Sequence, residues 1–230
     1  MNYPVNIVRG NQLGIDYNYV VAAIEHRICN GILFVASFGV YWLVGGLFLC
    51  VDTTGRPAWF VRYKTQPEKT LDMASLRRGF SHICLCTAFI AYPFSYFQYF
   101  MQKRQGSKMT LELPSLTTVL WQLFVCTIIE EIGFYYSHRA LHSSTVYRTI
   151  HKIHHEWVAP IGITAIYAHP VEVLFSNLVP LGIGPILLAS RLSVSALWFV
   201  IGSFMTVIHH SGYHLPLLPS PEFHDFHHLK

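Results

Sequence analysis

Charge is scarce in this chain. Of its 230 residues, 12% are Asp, Glu, Lys or Arg, 52% are hydrophobic, and the mean hydropathy is positive. A soluble domain carries about twice that share of charge, so the membrane class is the better reading. Strand-like alternation of polar and apolar residues is also missing, and the apolar runs are far longer than strands, which argues against a sandwich or barrel. There is no internal repeat and no low-complexity segment. The excess of Lys and Arg over Asp and Glu is only 16 to 12, too small and too dispersed for a nucleic-acid surface. The five cysteines (Cys29, Cys50, Cys84, Cys86, Cys126) lie in or beside apolar runs without metal-type pairing, and read as buried small hydrophobes, not disulfides. Residues 1–30 lack the basic start and early apolar core of a signal peptide, so no cleavage is expected and the first apolar run should persist as a membrane helix.

What is present is a set of five apolar stretches, residues 31–51, 80–100, 119–137, 171–189 and 193–209. Each approaches the roughly 20 residues that a spanning helix needs. The last two are short, and Pro180, Gly182, Gly184 and Pro185 predict a broken first arm with Arg191 marking the tip of the turn. An interfacial or re-entrant hairpin is the alternative for that pair. The loop at 52–79 carries Arg56, Arg62, Lys64, Lys69, Arg77 and Arg78, whereas 101–118 carries Lys103, Arg104 and Lys108. The more basic loop belongs to the cytosol. Counting spans from there places 138–170 on the cytosolic side, and the final hairpin returns 210–230 to the same face. The expected fold class is all-α: a polytopic helical membrane protein with a cytosolic, histidine-rich di-metal site.

Histidine is the residue in excess. There are 14, and all but His26 and His82 fall between His138 and His228. His138 and His142 form H-x3-H; His151, His154 and His155 form H-x2-H-H; His224, His227 and His228 repeat it. On a helix, positions i, i+3 and i+4 share a face, so each cluster can aim two or three imidazoles at one point. A single buried histidine is usually a core residue with its hydrogen bonds satisfied. Three clusters are a costly way to fill a core unless a metal takes up their lone pairs. Eight or more imidazoles exceed the needs of one ion, so two ions are implied, and the spacing alone leaves zinc, copper, iron and nickel open. His210 and His214 repeat the i, i+4 pattern and are candidate additional ligands, with hydrogen bonds to backbone or headgroups as the plainer reading. His169, before Pro170 and beside Glu172, reads as a supporting or fold-fixing residue, and His209 as either.

Ligating histidines need their second ring nitrogen held, commonly by a carboxylate. Glu131, seven residues before His138 and eleven before His142, is the leading candidate, with Glu130 on a neighbouring helix face. Asp225 and Glu156 adjoin clusters and read equally well as solvated caps or ion pairs. Trp121, Tyr135, Tyr136, Trp157 and Trp198 are available to line a lipid route, although such aromatics more often anchor an interface.

The segments Ser137-His138-Arg139-Ala140-Leu141-His142 and His151-Lys152-Ile153-His154-His155-Glu156-Trp157-Val158-Ala159-Pro160 resemble the fatty acid hydroxylase superfamily. Tyr167-Ala168-His169-Pro170-Val171-Glu172, Ser211-Gly212-Tyr213-His214-Leu215-Pro216 and His224-Asp225-Phe226-His227-His228 narrow the resemblance to the branch containing C4-methylsterol oxidases. It is strong over residues 121–230 and general before that. What the resemblance implies is an endoplasmic reticulum enzyme holding two iron ions. It would use O2 and NAD(P)H electrons, delivered through cytochrome b5 or its reductase as a separate protein, to oxidise a sterol or other lipid. It also carries the iron-ligand role onto His138, His142, His151, His154, His155, His224, His227 and His228, with His210 and His214 as additions.

Members of that superfamily continue past the last cluster with an Asn-x-x-Tyr-Gly stretch and a Gly-Thr segment, whereas this sequence stops at Lys230. The expectation is therefore a membrane region at 1–118 and a hydroxylase domain at 119–230 that is truncated, its final ligands near a free end. Two rivals stand beside the oxygenase: a non-catalytic membrane protein that keeps its metals for structure or regulation, and a zinc membrane hydrolase, which needs neither oxygen nor reductant.

Overall fold

A long apolar run inside a bilayer satisfies its backbone polar groups within itself, so it folds as helix. The computed structural model describes residues 17–229, and no strand occurs among them. The part of the signal-peptide expectation that rests on residues 1–16 lies outside the described residues. α1 (Tyr17–Phe34) passes through a π-helical turn at Val35–Gly39 into α2 (Val40–Thr54), which ends at Gly55 with φ 64°. Only a residue without Cβ adopts that left-handed angle at no cost. A single helical turn, α3 (Ala58–Val61), leads to α4 (Met73–Cys86), whose first turn is capped by Asp72 through the N–H groups of Ala74 and Ser75. A second π-helical turn, Thr87–Ala91, joins α4 to α5 (Tyr92–Arg104).

α6 (Leu116–Leu141) follows, capped by Ser115, and then the short α7 (Ser144–Thr149) and 3₁₀ turns at His151–Glu156 and Gly162–Thr164. α8 (Pro170–Glu172) runs through a π-helical turn at Val173–Leu178 into α9 (Val179–Leu187). α10 (Leu192–His209) and α11 (Glu222–His228) complete the order. Five stretches are long and apolar enough to cross a membrane: Asn18–Thr54, Met73–Arg104, Leu116–Leu141, Pro170–Leu187 and Leu192–His209. The chain is thus a nearly all-helical, multi-pass membrane protein.

The first two helices, at 37 and 32 residues, overshoot the apolar runs. Hydropathy marks only the stretch that lies in hydrocarbon, whereas a helix continues wherever its outer turns find partners. Here α1 and α5 supply them to each other: Lys103 bonds Glu25 at 3.0 Å, and the His26 ring stacks on Tyr99 at 4.5 Å. The broken arm takes the form of the π-helical turn before α9, with Pro185 inside that helix, and Arg191 is the residue that leads into α10. α9 lies close against α6, where a Cβ on Gly184 would come within 2.8 Å of Cys126 Sγ. Small residues at such crossings allow backbones to approach where no hydrophobic drive separates protein from lipid. All five cysteines are free, and three of them are buried.

Residues 52–72 fold over the segment that follows α10. Thr65 N donates to Gly212 O at 2.9 Å and His214 N to Tyr63 O at 2.8 Å. Asp52 receives both Lys64 Nζ at 2.8 Å and Tyr213 Oη at 2.9 Å. The basic loop and all the histidine clusters therefore occupy one face of the bundle.

Candidate metal centre

Four chain segments meet at that face, the end of α10 contributing His210. The end of α6 presents His138 and His142, the 3₁₀ turn presents His151, His154 and His155, and α11 presents His224, His227 and His228. They sort into two groups that cut across the sequence clusters. His138, His142, His151 and His227 have donor atoms within 4.8 Å of one another, and so do His154, His210, His224 and His228.

The sorting follows from local geometry. In the 3₁₀ turn, residues three apart nearly eclipse, and His151 and His154 accordingly stack at 5.6 Å, one facing each group. In α11, His224 and His228 share a face as i and i+4, with Nε2 atoms 2.9 Å apart. His227 is rotated away from them, and its Nε2 lies 2.9 Å from that of His138 and 3.1 Å from that of His142.

His155 stands between the groups, its Nε2 3.1 Å from His151 Nε2 and its ring stacked on His228 at 4.7 Å. His214 lies outside both groups, half exposed, with Nδ1 3.4 Å from Glu222. His169 accepts from Val171 N at the start of α8. His209 belongs to neither group.

The protonation pattern shows what the groups lack. His154 Nδ1 lies 3.1 Å from Tyr167 O, and His210 Nδ1 lies 2.8 Å from Thr206 O. A carbonyl oxygen only accepts, so both Nδ1 atoms carry the proton and both Nε2 atoms present lone pairs. Those two Nε2 atoms face each other at 3.5 Å. In the other group, His151 Nδ1 is held at 2.9 Å by Glu172, while its Nε2 meets the Nε2 atoms of His142 and His155, each at 3.1 Å.

Burial, reinforced by neighbouring imidazoles, keeps these rings neutral. His155 is pushed down to about 3, His227 to about 4 and His228 to about 2, and His154 and His224 also fall well below the usual imidazole range. His210 falls to about 4, its burial outweighing the opposing bond to Thr206. Converging neutral lone pairs repel unless a cation lies among them. Four imidazoles per group suit a first-row transition ion with coordination positions left open, so the donor set fits two metal ions.

The carboxylate that reaches a clustered histidine is Glu172, buried at 3% exposure. Its only sequence signal was its place beside His169 and Pro170. Glu131 is exposed on α6 and forms no hydrogen bond with a histidine among the described residues. Asp225 is buried, but it accepts from Thr65 Oγ1 at 2.6 Å and Gln66 Nε2 at 3.4 Å rather than from a histidine. Glu156 accepts from Tyr167 Oη at 2.7 Å. Sequence reasoning also passed over Tyr147, whose ring lies 5.5–6.0 Å from those of His142, His151 and His155. The backbone acceptors Tyr167 and Thr206 leave no trace in side-chain identity. Of the candidate route aromatics, Trp121, Tyr135 and Tyr136 are exposed on α6, and Trp198 is buried with its indole N–H on Leu181 O.

A helical membrane protein with two facing groups of four histidines defines a class, and the comparisons place the chain within it. The family model described as fatty acid hydroxylase matches residues 123–230. Fatty acid hydroxylase domain-containing protein 2 of Homo sapiens is 45% identical over 192 residues, which cover 83% of this chain and 58% of that protein. Very-long-chain aldehyde decarbonylase GL1-11 of Oryza sativa subsp. japonica is 32% identical over 89% of this chain and 78% of its own length. Methylsterol monooxygenase 2-2 of Arabidopsis thaliana is 32% identical over 85% and 74% respectively. The chain belongs to the fatty acid hydroxylase family. It spans 58% of the length of the human relative. No solved structure matches it.

Proposed function

We propose that this chain is a di-iron membrane oxygenase that hydroxylates a lipid, with a 4-methyl sterol as the favoured substrate. The observation that carries the reading is the pair of Nε2 lone pairs of His154 and His210, facing each other at 3.5 Å with both Nδ1 atoms committed to carbonyls. One ion is assigned to His138, His142, His151 and His227, and the other to His154, His210, His224 and His228. His155 stands at the boundary as a further ligand, and His214 is left out. All of these ligands fall within residues 119–230, the unit proposed to carry the chemistry. The choice of iron, and of a sterol, rests on the likeness to a methylsterol monooxygenase and other hydroxylases.

Iron bound in these groups supplies oxygen activation and oxidation of an unactivated C–H bond. The overall reaction takes RH, O2, two electrons and two protons to ROH and water. The electrons come from NAD(P)H through a separate cytochrome b5-type protein or its reductase. The chain's own residues orient and seal. Glu172, Tyr167 O and Thr206 O hold Nδ1 of His151, His154 and His210, which aims each Nε2 and raises its basicity. His142 is exposed while His154, His210 and His228 are buried, so the first group is the one open to incoming molecules and the second is kept dry. Arg56, Arg62 and Lys69 before α4, and Arg77 and Arg78 in its first turns, lie on the same face as the histidines, which supports a cytosolic site on an endoplasmic reticulum membrane.

The test is metal analysis of the purified protein together with turnover of a 4-methyl sterol, a fatty acid and a long-chain aldehyde, with and without oxygen. Two irons and oxygen-dependent product that disappears in His154→Ala support the proposal. Zinc without turnover, or turnover that proceeds anaerobically, overturns it.

A further inference from the structure

Beside the histidine groups, and lined by none of their imidazoles, lies a cavity of about 230 Å³. Its walls belong to the same segments that carry ligands. Glu156 and Trp157 directly follow His154 and His155, and Asp225 sits between His224 and His227. The opposite wall is the loop that carries Lys64 and Lys69 and the first turns of α4, with Ser75 and Arg78. That turn opens a membrane-spanning helix, which puts the cavity at headgroup height.

The charged groups around it divide into committed and free. Asp72 caps α4 and accepts from Ser75 Oγ. Glu156 accepts from Tyr167, Asp225 from Thr65 and Gln66, and Lys64 is paired with Asp52. Lys69 has no side-chain hydrogen bond or ion pair among the described residues, and Arg78 commits one guanidinium N–H, to Ser75 Oγ. Arginine has five such donors. On the inner wall, the buried Oδ1 of Asp225 accepts no hydrogen bond from the described residues. Leu71, Trp157 and Ile161 add apolar surface.

We infer that this cavity binds the anionic head of an amphiphile, a phosphate or carboxylate, with Lys69 and Arg78 as countercharges and the Trp157 side as the apolar contact. Because its walls continue into the ligand-bearing segments, an occupant there braces the 3₁₀ turn and α11. The site goes beyond the oxygenase reading, and its test reads binding, not turnover, so the two stand or fall separately.

The experiment is calorimetric titration of the full chain, as purified in neutral detergent, with dihexanoyl phosphatidate, hexanoate, dihexanoyl phosphatidylcholine and inorganic phosphate. Phosphatidate or hexanoate is expected to bind, the zwitterionic lipid at least about tenfold more weakly, and Lys69→Gln/Arg78→Gln to lose about tenfold or more. Arg77→Gln, an exposed neighbour, should bind as the parent does. Phosphate binding as tightly as the lipid, with the same dependence on the variant, assigns the site to a free anion; phosphate binding much more weakly assigns it to a lipid head. Either result supports the anion site. Equal binding of neutral and anionic lipids, or a doubly substituted protein that elutes as a folded monodisperse species and binds unchanged, overturns it.

Discussion

Glu172 Oε1 lies 2.9 Å from His151 Nδ1, and both side chains are almost completely buried. The bond joins the start of the fourth span to the centre of the first histidine group, so a spanning helix sets the direction of a metal-facing nitrogen. Removing the acceptor in Glu172→Ala should weaken metal binding at that group by roughly 10–100-fold. Glu172→Gln, whose amide oxygen still accepts, should retain most of the affinity. Metal titration checks this: the alanine variant should hold one of two ions firmly, and full retention of both would refute the assigned role.

Thr65 reaches across the fold to Asp225 at 2.6 Å and thereby pins α11. Thr65→Val keeps the shape and deletes the donor, at a cost of about 1–3 kcal/mol for a buried carboxylate left short of a partner. Thr65→Ser should be near neutral. Chemical denaturation of the two variants, with metal retention as a second readout, distinguishes them. Equal behaviour would show that the loop does not hold the helix.

At the crossing of α6 and α9, a Cβ on Gly184 would meet Cys126 Sγ at 2.8 Å and Cys126 Cα at 3.0 Å. Gly184→Ala should therefore push the helices apart and cost about 1–3 kcal/mol. Gly46→Ala, with nothing within 4 Å of its Cβ, should cost nothing. Thermal unfolding in one detergent compares them directly.

Acid should unfold the metal-free protein. His155, His210 and His227 are held down to about 3, 4 and 4 by burial, against an ordinary value of 6.5. Between those values the unfolded chain binds more protons than the folded one, so stability rises with pH across the window and is lost as pH falls from about 6.5 toward 4. The midpoint of thermal unfolding of the chelator-treated protein should drop between pH 7 and pH 5. Adding back metal should resist that drop until protons displace it.

Much of the architecture was legible in the residues themselves. Runs such as 119–137 and 193–209 can satisfy their backbone in a bilayer only as helices, and histidines recurring at three- and four-residue intervals in three places point to metal as the means of offsetting their burial. Composition and spacing therefore determined the helical membrane class and picked out the histidine clusters proposed to hold metal. The partition of those histidines was decided in three dimensions. His151 and His154 stack one above the other along a single 3₁₀ turn, each meeting a different group, and in α11 His227 lies about 60° round the helix from His224 and about 100° from His228. The supporting acceptors were likewise invisible, because Tyr167 and Thr206 act through backbone carbonyls common to every residue, and because Glu172 comes to His151 only when the fourth span packs beneath the turn. Periodicity records which side chains share a face of one segment. Which atoms from different segments converge on one point depends on how those segments pack.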